Sequence, residues 1–220
     1  YIDGEYKFAD LLKDLVKIEG LVRLRISSIE INELTDEVLD IFKESNILVP
    51  HLHIPLQSGS NHILKEMNRK YDKEYFINRI DYIKSIKEDV SITTDVITGF
   101  PGETDEEHIE SMKTIKRIGF TKVHVFPYSD RYGTVASKMP NKVDGNIKKS
   151  RVRDLLELSK ELESTFYKKF YNRTMKVLIE EEKDGYFYGH TANFIKVKVS
   201  GNFVQNEIYD ILLTEDNIVS

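Results

Sequence analysis

The 220-residue chain contains no cysteine, which excludes disulfides and any metal or cluster held by thiolates from these residues. Iron–sulfur chemistry would need ligands supplied from outside this sequence. No run of apolar residues approaches the length of a membrane span, and no charged-then-apolar leader opens the chain, so a cytoplasmic protein is expected. A basic excess is absent too: 32 Lys and Arg stand against 37 Asp and Glu, a net charge of −5. Nothing global therefore marks a nucleic-acid binder, although a local basic face remains open. There is no internal repeat and no low-complexity segment. The chain begins without methionine, on Tyr1-Ile2-Asp3-Gly4, in what reads as the approach to a helix, and is expected to be a fragment.

What is present, 40% hydrophobic residues, suffices to bury a sizeable core in one large or two smaller domains. The most informative stretch is Asp95-Val96-Ile97-Thr98-Gly99-Phe100-Pro101-Gly102-Glu103-Thr104. Val90, Ile92, Val96 and Ile97 supply β-branched bulk for a buried strand, and Gly99, Pro101 and Gly102 break it. Thr104 with Glu107 spells a capping box that opens a helix over 104–118, with Ile109, Met112 and Ile115 inward. Such a turn at a strand's carboxyl end leaves backbone amides unpaired and lets a ligand approach the main chain, where α/β folds bind ligands. Taken alone it is equally an ordinary βα turn.

Three other strands end in polar clusters. A helix over 5–19 stops at Gly20, and a strand over 21–26 closes in Ser27-Ser28-Ile29-Glu30. Thr35 caps the next helix. A strand over 51–56 runs into Gln57-Ser58-Gly59-Ser60, before helices over 61–67 and 71–86, the latter with Tyr75, Phe76, Ile80 and Ile83 inward. A strand over 121–126 closes in Pro127-Tyr128-Ser129-Asp130-Arg131. Four strand-then-helix units argue for parallel strands whose carboxyl ends share one rim. A helix over 146–171 follows, its apolar positions including Val152, Leu155, Leu156, Leu162, Phe166 and Phe170. From Arg173 the pattern turns to period two, with turn signals at Asp184-Gly185 and Ser200-Gly201-Asn202, which predicts a small all-β barrel.

Each candidate residue has a duller role beside its functional one. His51 and His53 alternate on one strand face, but two histidines are too few for a metal and read better as hydrogen-bonded core residues. Gln57-Ser58-Gly59-Ser60 offers an amide, hydroxyls and close backbone approach suited to a ribose or carboxylate, or Ser60 merely caps a helix. Tyr128, Ser129 and Arg131 bind an anion or stack a base, or form a solvated turn. Lys65, Arg69 and Lys70 make a short basic cluster, most simply a solvated face. In the β segment Tyr186 and Tyr188 share a face, as do Lys196 and Lys198, which is what an RNA platform uses. Against that, residues 173–220 hold five Lys or Arg and eight Asp or Glu.

Taken together, Arg25-Ile26-Ser27-Ser28-Ile29-Glu30, the stretch from His51 to Ser60, Met67-Asn68-Arg69-Lys70-Tyr71, the stretch from Asp95 to Thr104, and that from Phe126 to Thr134 resemble the radical S-adenosylmethionine methylthiotransferases. Gly189-His190-Thr191-Ala192-Asn193-Phe194 and the segment from Phe126 most resemble the branch acting on threonylcarbamoyladenosine in tRNA. Sibling branches act on isopentenyladenosine in tRNA or on a ribosomal protein. The resemblance implies an α/β fold: the carboxyl-terminal part of a partial TIM-like (β/α)6 radical SAM barrel over residues 1–140, a connecting helix over 141–172, and a TRAM-like (OB-like) β-barrel over 173–220. The four strands are then the last four of six, and the CxxxCxxC loop and the amino-terminal domain lie outside the sequence.

The implied cofactors are S-adenosylmethionine and, in the full-length protein, two 4Fe-4S clusters. The implied partner is the tRNA anticodon stem-loop. The implied cofactor-binding residues are Ser28, Glu30, Gln57, Ser58, Gly59, Asp95, Ile97, Gly99, Pro101, Glu103 and Tyr128. Those for RNA are Arg131, Tyr186, Tyr188, Lys196 and Lys198. No catalytic or metal residue falls in this fragment, which is expected to be inactive by itself. Two departures stand out: Asp95 replaces the first glycine of the family's GxIxGxxE motif, and Glu103 falls one position late. From a different class, the chain as it stands would be a non-catalytic RNA-binding module.

Overall fold

The computed structural model describes residues 2–219. Tyr1, in the expected approach to the first helix, lies outside them. A short antiparallel pair, β1 (Ile2–Asp3) and β2 (Tyr6–Lys7), leads into helix α1 (Phe8–Leu15), so that helix is shorter at both ends than the sequence pattern predicts.

Four strands, β3 (Leu24–Ser28), β4 (Leu48–His53), β5 (Ser91–Thr98) and β6 (Lys122–Pro127), lie parallel and in chain order. Helices α2 (Asp36–Glu44), α3 (Asn61–Glu66), α4 (Lys73–Ile86) and α5 (Asp105–Ile118) connect them, the alternation the sequence predicts. Thr35 caps α2 by accepting from Val38 N, and Thr104 with Glu107 forms the capping box of α5. One sheet face packs Ile26, Leu52, Ile92, Val96 and Val123 against Phe42, Phe76, Ile80, Ile83, Ile115 and Leu155. Each such side chain contributes about 1.5–3 kcal/mol on burial.

Two helix faces differ from expectation. Tyr75 is 44% and Ile109 51% exposed. Helix α5 instead buries His108, Ser111, Thr114, Ile115 and Ile118. The cause is close approach: a Cβ on Gly59 would lie 2.6 Å from Ser111 Cα and 2.8 Å from Thr114 Cβ, so only small side chains fit between α5 and the end of β4.

Helix α6 (Gly145–Lys168) packs on the outer strand β6. Leu156 faces solvent, while Ser159 Oγ accepts from Val123 N at 2.9 Å and covers part of that edge. The chain then forms an antiparallel sheet of β7 (Thr174–Lys183), β8 (Tyr186–Thr191), β9 (Lys196–Val199) and β10 (Ile208–Leu212), in the order β10-β7-β8-β9. It has its own core of Phe170, Val177, Ile179, Ile195, Val197 and Leu213. Asp184 and Gly185 take the left-handed conformations (φ 53° and 77°) that a tight hairpin demands.

The antiparallel sheet meets the amino ends of the parallel strands. Arg23, just before β3, donates to Lys176 O at 2.9 Å and His190 O at 3.1 Å. Asp89, just before β5, pairs with Arg173, and its carbonyl accepts from Asn193 Nδ2 at 3.1 Å. Among the described residues no helix is long and apolar enough to cross a membrane.

Candidate functional site

At the carboxyl rim, Ser28 and Glu30 are exposed, and Arg69 Nη1 donates to Glu30 Oε1 at 2.5 Å. Gln57 adopts φ 67°, with its N–H on Asp95 O (2.9 Å) and its carbonyl accepting from Ile97 N (2.8 Å). This turns the chain out of β4 and leaves the Gln57 carboxamide on the rim. Ser58 and Gly59 point the other way. Ser58 is fully buried, its Oγ 3.3 Å from Ser111 Oγ, and Gly59 N donates to Ser111 Oγ at 3.0 Å. Both are engaged with α5. Ser60 sits at the N-cap of α3 but accepts no cap hydrogen bond there.

The turn after β5 corrects one expectation: its amides are not free. Gly99 N donates to Glu103 Oε2 at 2.6 Å, Gly102 N to Asn141 O at 2.9 Å and Glu103 N to Phe100 O at 3.0 Å. Glu103 is buried and ion-paired to Arg151. Pro101 is buried, and a Cβ on Gly99 (φ 73°) would run into the Lys148 side chain. Tyr128 stands edge-on to Phe100 with centroids 5.3 Å apart, and its hydroxyl donates to Asp130.

The second sheet face is a cavity wall rather than helix-covered core. Register aligns Thr93 with Lys122, Asp95 with His124 and Ile97 with Phe126, and β4 adds His51 and His53. A chamber of about 450 Å³ opens between this wall and the antiparallel sheet, lined in part by Arg25, His51, His53, His124 and Phe194. The two histidines are hydrogen-bonded, as expected: His53 Nδ1 lies 2.9 Å and His51 Nε2 3.4 Å from Thr93 Oγ1, and His53 Nε2 lies 3.3 Å from Asp95 Oδ2. Burial, reinforced by Arg25, His53 and His190, pushes His51 down to about 3. Burial also lowers His124.

Reading the sequence does not single out Thr93 or His124. The available signal is polar alternation in parallel strands, which read as continuous apolar runs when both faces are covered. Phe194, in the connection between β8 and β9, takes φ 68°, lies under the Arg25 guanidinium (4.0 Å) and stacks on His190 (4.5 Å).

On the antiparallel sheet the tyrosines and lysines prove to share one face. Tyr188 pairs with Lys198 across β8 and β9. Lys198 Nζ sits 3.8 Å from the Tyr186 ring centre and Lys196 Nζ 5.4 Å from that of Tyr188. Arg131 is exposed on the loop after β6, at the carboxyl rim and away from that sheet's docking end.

With no cysteine, and no group of three or more metal-binding side chains among the described residues, the donor set does not fit an iron–sulfur cluster. The rim's accessible carboxamide, carboxylate, hydroxyl and aromatic ring, from Gln57, Asp95, Ser28 and Tyr128, do fit an adenosine-bearing cofactor.

The family model described as the Radical SAM superfamily matches residues 3–115. The threonylcarbamoyladenosine tRNA methylthiotransferase MtaB of Bacillus subtilis (strain 168) is 44% identical over 203 residues, 90% of this chain and 45% of that protein. MtaB of Thermotoga maritima is 38% identical over 216 residues, covering 96% and 50%. The tRNA-2-methylthio-N(6)-dimethylallyladenosine synthase of Thermoanaerobacter sp. (strain X514) is 40% identical over 179 residues, covering 81% and 38%. The chain thus spans about half the length, or less, of these curated relatives. Among solved structures, the radical SAM enzyme coproporphyrinogen III oxidase HemN from Escherichia coli shares the fold, with TM-score 0.54, 14% identity, and coverage of 83% of this chain and 46% of that one.

Proposed function

The chain belongs to the Radical SAM superfamily, and from that premise we propose that it is part of a cytoplasmic tRNA methylthiotransferase that modifies threonylcarbamoyladenosine next to the anticodon. The observation carrying this is the similarity to MtaB proteins over 90% or more of the chain. Superfamily membership implies S-adenosylmethionine and an iron–sulfur cluster. In this proposal residues 1–140 are the last four strand units of a partial (β/α)6 barrel, 141–172 the connecting helix, and 173–220 a TRAM-like RNA-binding barrel. The ligands of two 4Fe-4S clusters come from outside this sequence.

Within the chain, Gln57, Asp95 and Ile97 hold the cofactor on the rim, with Ser28, Glu30 and Tyr128 beside it. Gly99, Pro101, Ser58 and Gly59 shape the backbone behind them. Glu103 serves through its pair with Arg151 rather than by direct contact. The cofactor, once bound, supplies the radical needed to functionalise an unactivated aromatic carbon, and the protein excludes water and orients cofactor and base. Tyr186, Tyr188, Lys196 and Lys198 hold the stem-loop by stacking and charge, with Arg131 at the rim.

Full-length protein, reconstituted and incubated with synthetic anticodon stem-loops, tests the substrate. Methylthio transfer to the threonylcarbamoyladenosine stem-loop supports the proposal. Transfer only to the dimethylallyladenosine stem-loop would assign the sibling branch, to which relatives of comparable identity belong. No transfer to either would remove tRNA methylthiolation altogether.

A further inference from the structure

Three side chains on the cavity wall form a hydrogen-bonded line from His51, beneath the antiparallel sheet, through Thr93 to His53, whose Nε2 lies 3.3 Å from Asp95 Oδ2 near the rim. We propose that His51, Thr93 and His53 are a relay of fixed polarity that positions the Asp95 carboxylate for a donor group of the bound cofactor, an inference that rests on the assignment of Asp95 to S-adenosylmethionine.

The polarity follows from proton counting. His51 is only 5% exposed and stays neutral near pH 7, so it carries one N–H. Its Nδ1 is buried with no hydrogen-bond partner, while Nε2 faces Thr93 Oγ1. Buried orphan N–H donors are rarer than under-used acceptors, which places the proton on Nε2 and directs it to Thr93. The threonine hydroxyl has one proton, and with its oxygen accepting from His51 it donates to His53 Nδ1. In a neutral His53 ring this leaves the proton on Nε2, 3.3 Å from Asp95 Oδ2. Reversing the line would set a ring lone pair against a carboxylate. The observed order gives the His51 ring proton and the Thr93 hydroxyl proton acceptors and turns the His53 ring proton toward the carboxylate.

The start of the line is fixed as well. Phe194, held at φ 68° in the β8–β9 connection, lies with its ring centre 4.7 Å from that of His51 and packs under Arg25. At the other end, the Asp95 side chain is 29% exposed; its ion-pair-distance partner among the described residues is His53, and His124 beside it on β6 adds an electrostatic attraction. One carboxylate oxygen is oriented by the relay and the other remains for a ligand. A carboxylate only accepts, so its partner is a hydroxyl or amino group. His53 is thus a positioning residue.

The test is S-adenosylmethionine affinity, measured by anaerobic equilibrium dialysis on the full-length, cluster-reconstituted protein, with melting temperature as a parallel readout. His53→Leu is expected to raise Kd about tenfold, the scale of one charge-assisted hydrogen bond. Thr93→Val, close in shape, raises it less and lowers the melting temperature by leaving the buried His51 N–H without an acceptor, Thr93→Ser restores both, and His53→Leu melts close to wild type. Wild-type affinity in both His53→Leu and Thr93→Val, with weaker binding in Asp95→Asn, overturns the relay alone. Wild-type affinity in Asp95→Asn overturns the cofactor assignment and the relay with it.

Discussion

Arg151 Nη1 lies 2.6 Å from Glu103 Oε2, with the two side chains 5% and 2% exposed. The same carboxylate oxygen accepts from Gly99 N, and the guanidinium reaches on to Asp105. Helix α6 is thereby fastened to the glycine turn of β5. Arg151→Met leaves a buried carboxylate without its partner and is expected to cost about 3–5 kcal/mol. Urea unfolding checks it: the midpoint falls at unchanged slope. The double variant with Glu103→Gln should recover part of the loss, because the stranded charge is gone.

Gly59 is required by packing rather than by backbone conformation. In Gly59→Ala the new methyl meets main-chain and Cβ atoms of α5 inside 3 Å. A loss of about 1–3 kcal/mol is expected, the usual range for overpacking. The same unfolding experiment reads it, and wild-type stability would show that α5 can move away freely.

Local rules make much of this legible in the sequence. The Thr104–Glu107 box, the Thr35 cap and the Asp184-Gly185 hairpin are short-range chemistry, and each stands where its residues indicate. The turn from β-α repetition to period two at Arg173 separates the two sheets. Long-range neighbours are not legible. Nothing local distinguishes Ile109, exposed, from Ile115, buried, because Gly59 decides which side of α5 comes close. Nor does the basic start of α6 indicate that Arg151 is the residue pulled inside by Glu103. That Tyr186, Tyr188, Lys196 and Lys198 share a face depends on the register of β8 against β9.

His51 supplies a pH test. Its folded value near 3 lies below the ordinary 6.5 of a histidine, so between the two the unfolded chain binds a proton that the folded chain excludes. The stability contributed by neutral His51 is complete above about pH 6.5 and drains away as pH falls toward 3. The stability difference between wild type and His51→Gln should therefore shift against wild type from about pH 6.5 to about pH 4. A difference independent of pH would contradict the burial of an uncharged ring.

The lysine and tyrosine substitutions on the β8–β9 face separate by salt. Removing Lys196 and Lys198 together is expected to weaken anticodon stem-loop binding and to lower the slope of log K against log salt by about one unit for each phosphate no longer neutralised. Removing a stacked tyrosine costs about 1–3 kcal/mol with the slope nearly intact. Titrations of the full-length protein at several salt concentrations measure both. If neither affinity nor slope changes, RNA is held elsewhere, with Lys65, Lys70 and Arg131 next to test.

The central claim is methylthiolation of threonylcarbamoyladenosine in tRNA, and nucleoside analysis of total tRNA from cells with and without the gene tests it most directly. Loss of the methylthio derivative, with threonylcarbamoyladenosine itself accumulating and the dimethylallyl derivatives untouched, is the predicted result. An undiminished level of methylthio-threonylcarbamoyladenosine in the deletion strain would contradict it.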